Sequence, residues 1–223
     1  MPASVAPTIT SQVSPWLAWL VYPLGRFAVL PFYFDGIQVS GQEHLPKSGP
    51  VILAPTHRSR WDALMLPYAT GRHVTGRDLR FMVSVNEVSG LQGWFIRRLG
   101  GFPIDPQHPG IGSLRHGVEI LLNQQMLVIF PEGGIFRDHR VHPLKPGLSR
   151  IALQAESSQP GLGVKIVPVS LRYSATIPRK GCRVKIVIGA PLLAADYCKG
   201  TGKKDSQQLT ADLERALQQI DAS

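Results

Sequence analysis

A histidine and an aspartate five positions apart form the first pattern in the chain that points to chemistry. His57 follows the apolar run at residues 51–54, and Asp62 lies at the start of a helical pattern. Five residues of regular α-helix turn the chain by about 140°, so the two side chains meet only if His57 precedes the helix and Asp62 occupies its first turn. A carboxylate that holds one ring nitrogen leaves the other nitrogen free as a general base. The chain has no G-x-S-x-G motif, so this base would act on a hydroxyl group of the substrate.

The same residues also fit a purely structural arrangement. Ser59 and Asp62 have the spacing of an acidic variant of the capping box, in which two side chains close the first turn of a helix. In that interpretation Asp62 only caps a helix and His57 is an ordinary loop histidine. The spacing alone leaves both interpretations open.

A second pattern joins an apolar run to a carboxylate, two glycines and two cations. Residues 126–130 are apolar and are followed by a proline. The positions of interest after that proline are Glu132, Gly133, Gly134, Arg137 and Lys145. Glycines allow a ligand to approach the backbone closely, and arginine and lysine suit a phosphate group. This pattern predicts an anion-binding region after the apolar run.

Together with the apolar run at residues 167–169, these patterns resemble the motifs of the glycerolphosphate acyltransferase family. The resemblance is to the bacterial 1-acyl-sn-glycerol-3-phosphate (lysophosphatidate) acyltransferase type, and it covers residues of about 35–190. The matching positions are His57 and Asp62 for the HxxxxD motif, residues 130–133 for FPEG, Lys145 with Gly147 for a basic-plus-glycine element, and residues 167–169 for VPV. The order and spacing of all four elements agree with the family pattern.

The resemblance implies both a fold and a reaction. The fold would be a mixed, largely parallel sheet flanked by helices. The reaction would move a fatty acyl group from acyl-CoA or acyl–acyl carrier protein, as co-substrate, to a lysophospholipid hydroxyl, with no bound cofactor and no metal. The first acceptor to expect is 1-acyl-glycerol-3-phosphate, which would give phosphatidic acid; glycerol-3-phosphate or another lysolipid is the alternative.

The resemblance also assigns a role to each matching residue. His57 would take the proton of the acceptor hydroxyl, and Asp62 would orient the imidazole. Glu132 would hold acceptor hydroxyls or a basic neighbour, and backbone N–H groups near His57 or in the turn of Gly133 and Gly134 would stabilise the oxyanion. The cations Arg137 and Lys145 would hold the phosphate.

Two departures from the family pattern concern the acceptor headgroup. The FPEG motif usually continues Thr-Arg-Ser, whereas Gly134 follows it here and the next arginine is Arg137. The second motif usually ends in an acidic residue followed by arginine, whereas Asp105 is followed by Pro106. The arginines available to replace that charge are Arg97, Arg98 and Arg115. Acceptor identity is therefore left open.

Two functions from other classes are also open: a basic nucleic-acid- or membrane-binding module without catalysis, and a metallohydrolase. A formal net charge of +9 and a pI of about 9.9 imply a nucleic acid, an anionic membrane or a phosphorylated substrate. The aromatic residues concentrate near the amino terminus rather than among the basic ones, which argues against base stacking and a nucleic-acid partner. A metallohydrolase would need His57, Asp62, Glu132, His139 and His142 as ligands. Arg137 and Arg140 lie beside them and would repel a divalent cation.

The elements that must position these residues follow an α/β pattern, in which short apolar runs alternate with helical spacing. The predicted strands are residues 37–40, 51–54, 80–85, 101–104, 127–130, 166–171 and 183–188. The predicted helices lie around residues 63–67, 114–122 and 209–220. The chain would comprise a tail and apolar segment at 1–34, an acyltransferase domain at 35–195, and a region at 196–223. That last region would hold a polar linker at 199–208, with Ser206 as N-cap of an amphipathic helix.

Residues 16–34 form an apolar, aromatic segment with a single charge, Arg26. Pro23 and Pro31 interrupt it, and a proline inside a helix costs about 3 kcal/mol, so we expect two short helices instead of one membrane span. Tryptophan and tyrosine favour the boundary between water and lipid. The segment therefore predicts a peripheral or monotopic protein on the cytoplasmic face of an anionic bilayer. The alternative is that it packs over the domain as an ordinary core helix.

Overall fold

The alternation of apolar runs and helical patterns produces a mixed, largely parallel sheet flanked by helices, which confirms the predicted fold class. The computed structural model describes residues 11–105 and 110–222. The strands within these ranges are β1 (Phe34–Ser40), β2 (Val51–Pro55), β3 (Leu79–Ser84), β4 (Gly101–Ile104), β5 (Met126–Val128), β6 (Lys165–Tyr173), β7 (Cys182–Ile188) and β8 (Leu192–Leu193). Their order in the sheet is β1-β7-β6-β2-β5-β3-β4, and β8 pairs with β6. Strand β6 is antiparallel to β7 and β8, and the remaining pairs are parallel.

Helices cover both faces of this sheet. They are α1 (Pro15–Leu24), α2 (Leu30–Tyr33), α3 (Asp62–Thr70), α4 (Arg72–Thr75), α5 (Gly90–Arg98), α6 (Ile111–Leu122), α7 (Gly147–Ser158) and α8 (Gly202–Ala222). Strand β2 is buried on both faces: Ile52 and Ala54 belong to one apolar cluster with α6, α7 and α8, and Val51 and Leu53 belong to another with α3. A run of consecutive apolar residues is typical of such a two-sided strand.

The carboxyl ends of three neighbouring strands meet at one edge of the sheet. Strand β2 pairs in parallel with β5 on one side and with β6 on the other. The loops that follow β2 and β5 carry the histidine and FPEG motifs, and the last residue of β6 is Tyr173. In open α/β sheets, ligands bind outside the carboxyl ends of the strands, and the sheet order therefore brings the two motifs together there.

The predicted strands are all present, but the predicted linker at residues 199–208 is wrong from residue 202 onward. Helix α8 begins at Gly202, seven residues before the apolar pattern starts. The Asp205 carboxylate accepts hydrogen bonds from the backbone N–H groups of Lys199, Gly200 and Thr201. It thereby satisfies the N–H of Thr201, the residue just before the helix, and fixes the two residues that precede it. Ser206, expected as the N-cap, is buried inside the helix.

The amino-terminal segment contains two short helices, α1 and α2, instead of one membrane span, as the interrupting prolines predict. A π-helical turn at Gly25–Val29 joins α1 to α2, and Pro23 lies within α1. Burial of Leu17, Ala18 and Leu30 against the domain offsets the lost hydrogen bonds. The helices in the described part of the chain are each too short or too polar to cross a bilayer. The first ten residues of the predicted 1–34 region lie outside the described residues.

Candidate active site

His57 and Asp62 are in direct contact, in the arrangement that the spacing predicts. His57 lies in the loop between β2 and α3, and Asp62 is the first residue of α3. The distance from Nδ1 of His57 to Oδ2 of Asp62 is 2.9 Å. A carboxylate only accepts hydrogen bonds, so Nδ1 carries the proton and Nε2 is the basic nitrogen. Within residues 11–105 and 110–222, Nε2 has no partner, and the ring borders a cleft.

Asp62 also closes the start of its own helix, so the structural and chemical interpretations both apply. Its Oδ2 atom accepts hydrogen bonds from the backbone N–H groups of Arg58 and Ser59 at 2.7 and 2.9 Å. The Ser59 hydroxyl accepts the N–H of Trp61 at 3.3 Å, which completes the turn. The side chain of Asp62 is fully buried. The helix start thus fixes the carboxylate that orients His57.

A tyrosine that sequence reasoning missed holds the other oxygen of Asp62. The Tyr173 hydroxyl donates a hydrogen bond to Oδ1 of Asp62 at 2.6 Å. Burial and the neighbouring Asp62 charge raise the pKa of Tyr173 far above its usual range, so the hydroxyl stays neutral and donates. Tyr173 ends β6, two residues beyond the predicted strand. The signal that could have revealed it is the position of β6 beside β2, which requires the sheet order.

Phe130 packs against the imidazole ring of His57. Its ring lies 3.9 Å from the centre of the His57 ring, at an angle of 24°. Because an aromatic ring on one face restricts rotation of the imidazole, Phe130 and Asp62 together fix its orientation. The phenylalanine of the FPEG motif therefore positions the histidine of the other motif.

Glu132 points into the protein, not into the cleft. Its carboxylate pairs with the buried Arg58 guanidinium at 2.9 Å and accepts the backbone N–H groups of His57 at 2.8 Å and His142 at 2.9 Å. Of the two expected roles, holding a basic neighbour is therefore the one that the geometry supports. The geometry does not support contact with acceptor hydroxyls, because protein donors occupy both carboxylate oxygens of Glu132. Glu132 fixes the backbone on which His57 is carried.

A large cleft lies beside the histidine. Its volume is about 1250 Å³, and most of its lining is apolar. One wall is formed by Val21 and Tyr22 of α1, and another by Phe95 and Ile96 of α5. His57 lies at the polar end, beside the FPEG turn. A site of this size and polarity suits a ligand with a long apolar part and a small polar head.

One of the two predicted cations lies at the polar end of the cleft. Lys145 lines the cleft, together with Arg150 and Arg60, whereas Arg137 is exposed and lies outside the lining. Gly133 has φ +73°, and a Cβ atom there would lie 2.6 Å from Cε of Lys145. The glycine thus makes room for the lysine stem, and Arg137 is a poor candidate for the phosphate contact.

The arginines proposed to replace the second-motif charge also lie elsewhere. Arg97 donates to the backbone carbonyl of Val88, and Arg98 lies over the Trp94 ring. Arg115 pairs with Glu119 along α6. These three side chains are outside the cleft lining. Pro106, the other departure in that motif, lies outside the described residues.

Arg60 carries a carboxylate partner at the mouth of the cleft. Its guanidinium donates to Glu87 at 2.7 Å. That hydrogen bond, with another from Gln92, lowers the pKa of Glu87 below its usual value. Glu87 therefore stays ionised and offsets part of the positive charge near His57.

The backbone donors expected for an oxyanion are largely committed to the protein. The N–H groups of His57, Arg58 and Ser59 donate to Glu132 and Asp62. The N–H of Gly133 donates to the carbonyl of Phe130. Among residues 11–105 and 110–222, the N–H of Gly134 has no acceptor and borders the cleft. It is the candidate donor that remains from the predicted set.

The two further histidines of the metal-binding interpretation, His139 and His142, are separated from the His57–Asp62 pair. His142 stacks on Phe136 and contacts the Asp138 carboxylate through Nε2 at 2.9 Å. His139 is exposed. In the described ranges, no three acidic, histidine or cysteine residues converge as a metal site would require.

Comparison with known proteins gives a family and a fold. The acyltransferase family model matches residues 36–172. The chain is 24% identical over 190 residues to a 1-acyl-sn-glycerol-3-phosphate acyltransferase of Bacillus subtilis, covering 83% of this chain and 88% of that relative. It is 30% identical over 161 residues to mitochondrial glycerol-3-phosphate acyltransferase 1 of Sus scrofa, covering 65% of this chain but only 20% of that relative. Both proteins carry a domain similar to this one.

A solved structure shares the fold. The crystal structure of the 1-acyl-sn-glycerophosphate acyltransferase PlsC of Thermotoga maritima matches with a TM-score of 0.61 at 20% identity. The match covers 84% of this chain and 73% of that one. At this level of identity the likeness extends to the arrangement of sheet and helices.

Proposed function

Because the chain belongs to the acyltransferase family, we propose that it transfers a fatty acyl group from an acyl thioester to the free hydroxyl of 1-acyl-glycerol-3-phosphate, giving phosphatidic acid. The observation that carries this proposal is the oriented His57, whose basic nitrogen borders an apolar cleft of about 1250 Å³. The match spans nearly the whole length of the Bacillus subtilis 1-acyl-sn-glycerol-3-phosphate acyltransferase, which supports the same class of acceptor.

The reaction needs one base and no covalent enzyme intermediate. Nε2 of His57 takes the proton of the acceptor hydroxyl while that oxygen attacks the thioester carbonyl carbon. The N–H of Gly134 donates to the resulting oxyanion. The tetrahedral intermediate then collapses, the carbon–sulfur bond breaks, and the imidazolium returns its proton to the thiolate. Asp62 stabilises the imidazolium, and general-base catalysis of this kind contributes roughly 10²–10⁴-fold.

The polar end of the cleft holds the acceptor phosphate. Lys145 is the first candidate contact because it lies beside the FPEG turn and in the lining, and Arg150 and Arg60 are nearby in the same lining. The fatty chains occupy the apolar walls. The donor is acyl-CoA or acyl–acyl carrier protein, both of which are cytoplasmic, so the enzyme works on the cytoplasmic face of an anionic bilayer. No bound cofactor takes part in this scheme.

A substrate panel tests the proposal directly. The purified chain is incubated with each of the two thioester donors and with 1-acyl-glycerol-3-phosphate, glycerol-3-phosphate or lysophosphatidylcholine, and products are identified by mass spectrometry. We expect phosphatidic acid from the first acceptor. Acylation of glycerol-3-phosphate alone would instead favour the other acceptor, which the mitochondrial relative uses by name.

Variants of two histidines test the mechanism. We expect His57→Ala to lower turnover at least about 10²-fold, because it deletes the general base. The matched control is His139→Asn, which changes an exposed histidine at φ 54° to a residue that tolerates this conformation. Turnover near the control level in folded His57→Ala protein would contradict the mechanism.

A further inference from the structure

Helix α5 carries an exposed apolar stripe, whose side-chain contacts within the described residues include Arg98 over the Trp94 ring. Leu91, Trp94 and Phe95 have the spacing i, i+3 and i+4, and their exposed fractions are 74%, 37% and 39%. The opposite side of the helix is buried at Gly93, where a Cβ atom would lie 2.5 Å from the carbonyl oxygen of Val88. The stripe therefore cannot turn inward. Contiguous exposed apolar side chains of this kind mark an interaction surface.

This stripe is continuous with the amino-terminal helix. The N–H of Ser14 donates to the carbonyl of Arg98 at 2.8 Å, and the N–H of Gly100 donates to the carbonyl of Gln12 at 3.1 Å. The end of α5 is thereby bound to the start of α1. Both helices line the cleft, and both carry exposed apolar side chains on their outer sides, including Trp19 of α1 at 77% exposure. They form the two lips of the cleft.

We propose that α5 inserts its stripe into the surface of an anionic lipid bilayer beside α1, so that the cleft opens between two membrane-inserted lips. The proposal rests on the proposed function, because both substrates of that reaction carry fatty chains that must enter the cleft. Arg97 and Arg98 are exposed in the last turn of α5, where they meet anionic headgroups while Leu91 and Trp94 enter the acyl region.

The same charges disfavour a second copy of the chain as the occupant. An interface between two identical faces would bring the Arg97 and Arg98 side chains of both copies together, and like charges repel. An anionic lipid surface instead complements them. Lateral entry of a lipid also requires both lips to contact the same bilayer, which the hydrogen bonds between α1 and α5 allow.

Fluorescence quenching tests the insertion of α5 directly. The substitutions Trp16→Phe, Trp19→Phe and Trp61→Phe leave Trp94 as the sole tryptophan of the chain. The full-length variant is mixed with phosphatidylglycerol vesicles that contain either brominated or ordinary phosphatidylcholine. We expect the fluorescence of Trp94 to fall in the brominated vesicles only. Equal fluorescence in the two vesicle types would overturn the proposal.

Flotation of a single variant gives a second test with native tryptophans. Leu91→Gln lies outside the cleft lining, and we expect it to weaken binding to the same vesicles about tenfold, because it removes one inserted apolar side chain. The matched control, Leu193→Gln on β8, changes a side chain of 41% exposure and keeps wild-type binding. Unchanged binding of Leu91→Gln, or loss of a dimer in light scattering instead, would overturn the proposal in favour of a protein partner.

Activity separates this inference from the proposed function. Acyl transfer to a short-chain acceptor in solution needs no bilayer, so Leu91→Gln should keep wild-type turnover there. Absence of that turnover in the wild-type chain would contradict the proposed function, whereas normal turnover without quenching of Trp94 would contradict only the insertion of α5.

Discussion

At the scale of single residues, Asp62 is the position on which the site depends. It is the only described carboxylate that accepts hydrogen bonds from the His57 ring, from two backbone N–H groups and from Tyr173. Each donor fixes the carboxylate in one place, and the carboxylate fixes the imidazole. Groups that position a base in this way affect turnover without touching the substrate.

Tyr173→Phe should therefore lower turnover while leaving substrate binding nearly unchanged. The loss of one hydrogen bond to a buried carboxylate costs roughly 1.5–3 kcal/mol, and we expect kcat to fall about tenfold with little change in KM. Steady-state profiles of rate against acceptor concentration give both constants. The control is Tyr197→Phe, which loses a similar hydrogen bond to Asp212 on α8. Equal profiles for the two variants would remove Tyr173 from the positioning role.

Lys145 and Arg137 give a second prediction at this scale. Lys145→Gln should raise the acceptor KM about tenfold or more, because a charge-assisted contact to phosphate is lost, and should leave the donor KM unchanged. Arg137→Gln serves as the matched control, since that side chain is exposed and lies outside the cleft lining. Steady-state kinetics with varied acceptor decide the matter. A larger rise in the acceptor KM for Arg137→Gln than for Lys145→Gln would instead place the phosphate site in the loop after the FPEG turn.

At the scale of elements, the last turn of α8 is fastened to the sheet by one carboxylate. Asp221 accepts hydrogen bonds from Ser170 at 2.6 Å and from Arg172 at 2.9 Å, both on β6. Burial acts to raise the pKa of Asp221, but these two hydrogen bonds outweigh it, and the pKa lies below its usual value. The contribution of Asp221 to stability is therefore complete above the unfolded value of about 4 and is lost as pH falls through the lower folded value.

Asp221→Asn should show this dependence in urea unfolding. We expect the variant to be about 1–2 kcal/mol less stable than wild type at pH 7, a value reduced because Arg172 is partly exposed. The difference should shrink as the pH is lowered from 4 towards 3. Asp196→Asn, at an exposed position, controls for loss of a charge alone. A difference that stays constant down to pH 3 would contradict the assigned pKa direction.

Elements that are specified by their own residues could be predicted, whereas features that depend on contacts with other parts of the chain could not. The buried strands were predictable because consecutive apolar residues such as 51–54 have few other uses. The start of α8 was not, because it depends on the reach of the Asp205 side chain and not on periodicity. The π-helical turn that joins α1 to α2 was not predicted for a related reason: proline penalties are local, whereas the burial that offsets them comes from the rest of the domain.

Contacts between site residues that are close in sequence were predictable, whereas contacts between residues that only the sheet brings together were not. His57 and Asp62 are close in sequence, so their contact followed from spacing. The contacts of Tyr173 with Asp62 and of Glu132 with Arg58 join residues 111 and 74 positions apart. Only the pairing of β2 with β5 and β6 brings these together. The position of Arg137 outside the cleft lining was not predictable, because the path of the loop after the FPEG turn has no sequence signature.

At the scale of the whole molecule, the apolar amino-terminal segment contributes almost none of the positive charge. Residues 1–34 hold one charged side chain, Arg26, and its guanidinium donates to the carbonyl of Tyr68 and lies over that ring. Of the net charge of +9, one unit is Arg26, and residues 35–223, which form the domain behind the apolar helix, carry the remaining +8. Attraction to anionic lipid and insertion of apolar side chains then act through separate residues.

This separation predicts how salt and mutation combine in vesicle binding. Each basic residue near an anionic surface contributes about 1 kcal/mol, which salt screens, whereas the apolar contribution is not screened. Salt should therefore weaken but not abolish binding of the wild-type chain. Trp19→Gln with Phe27→Gln changes side chains of 77% and 69% exposure, so the fold should persist while the remaining binding becomes far more sensitive to salt. Leu193→Gln is the control in flotation assays, and wild-type binding of the double variant in high salt would show that the helix packs on the domain without contacting lipid.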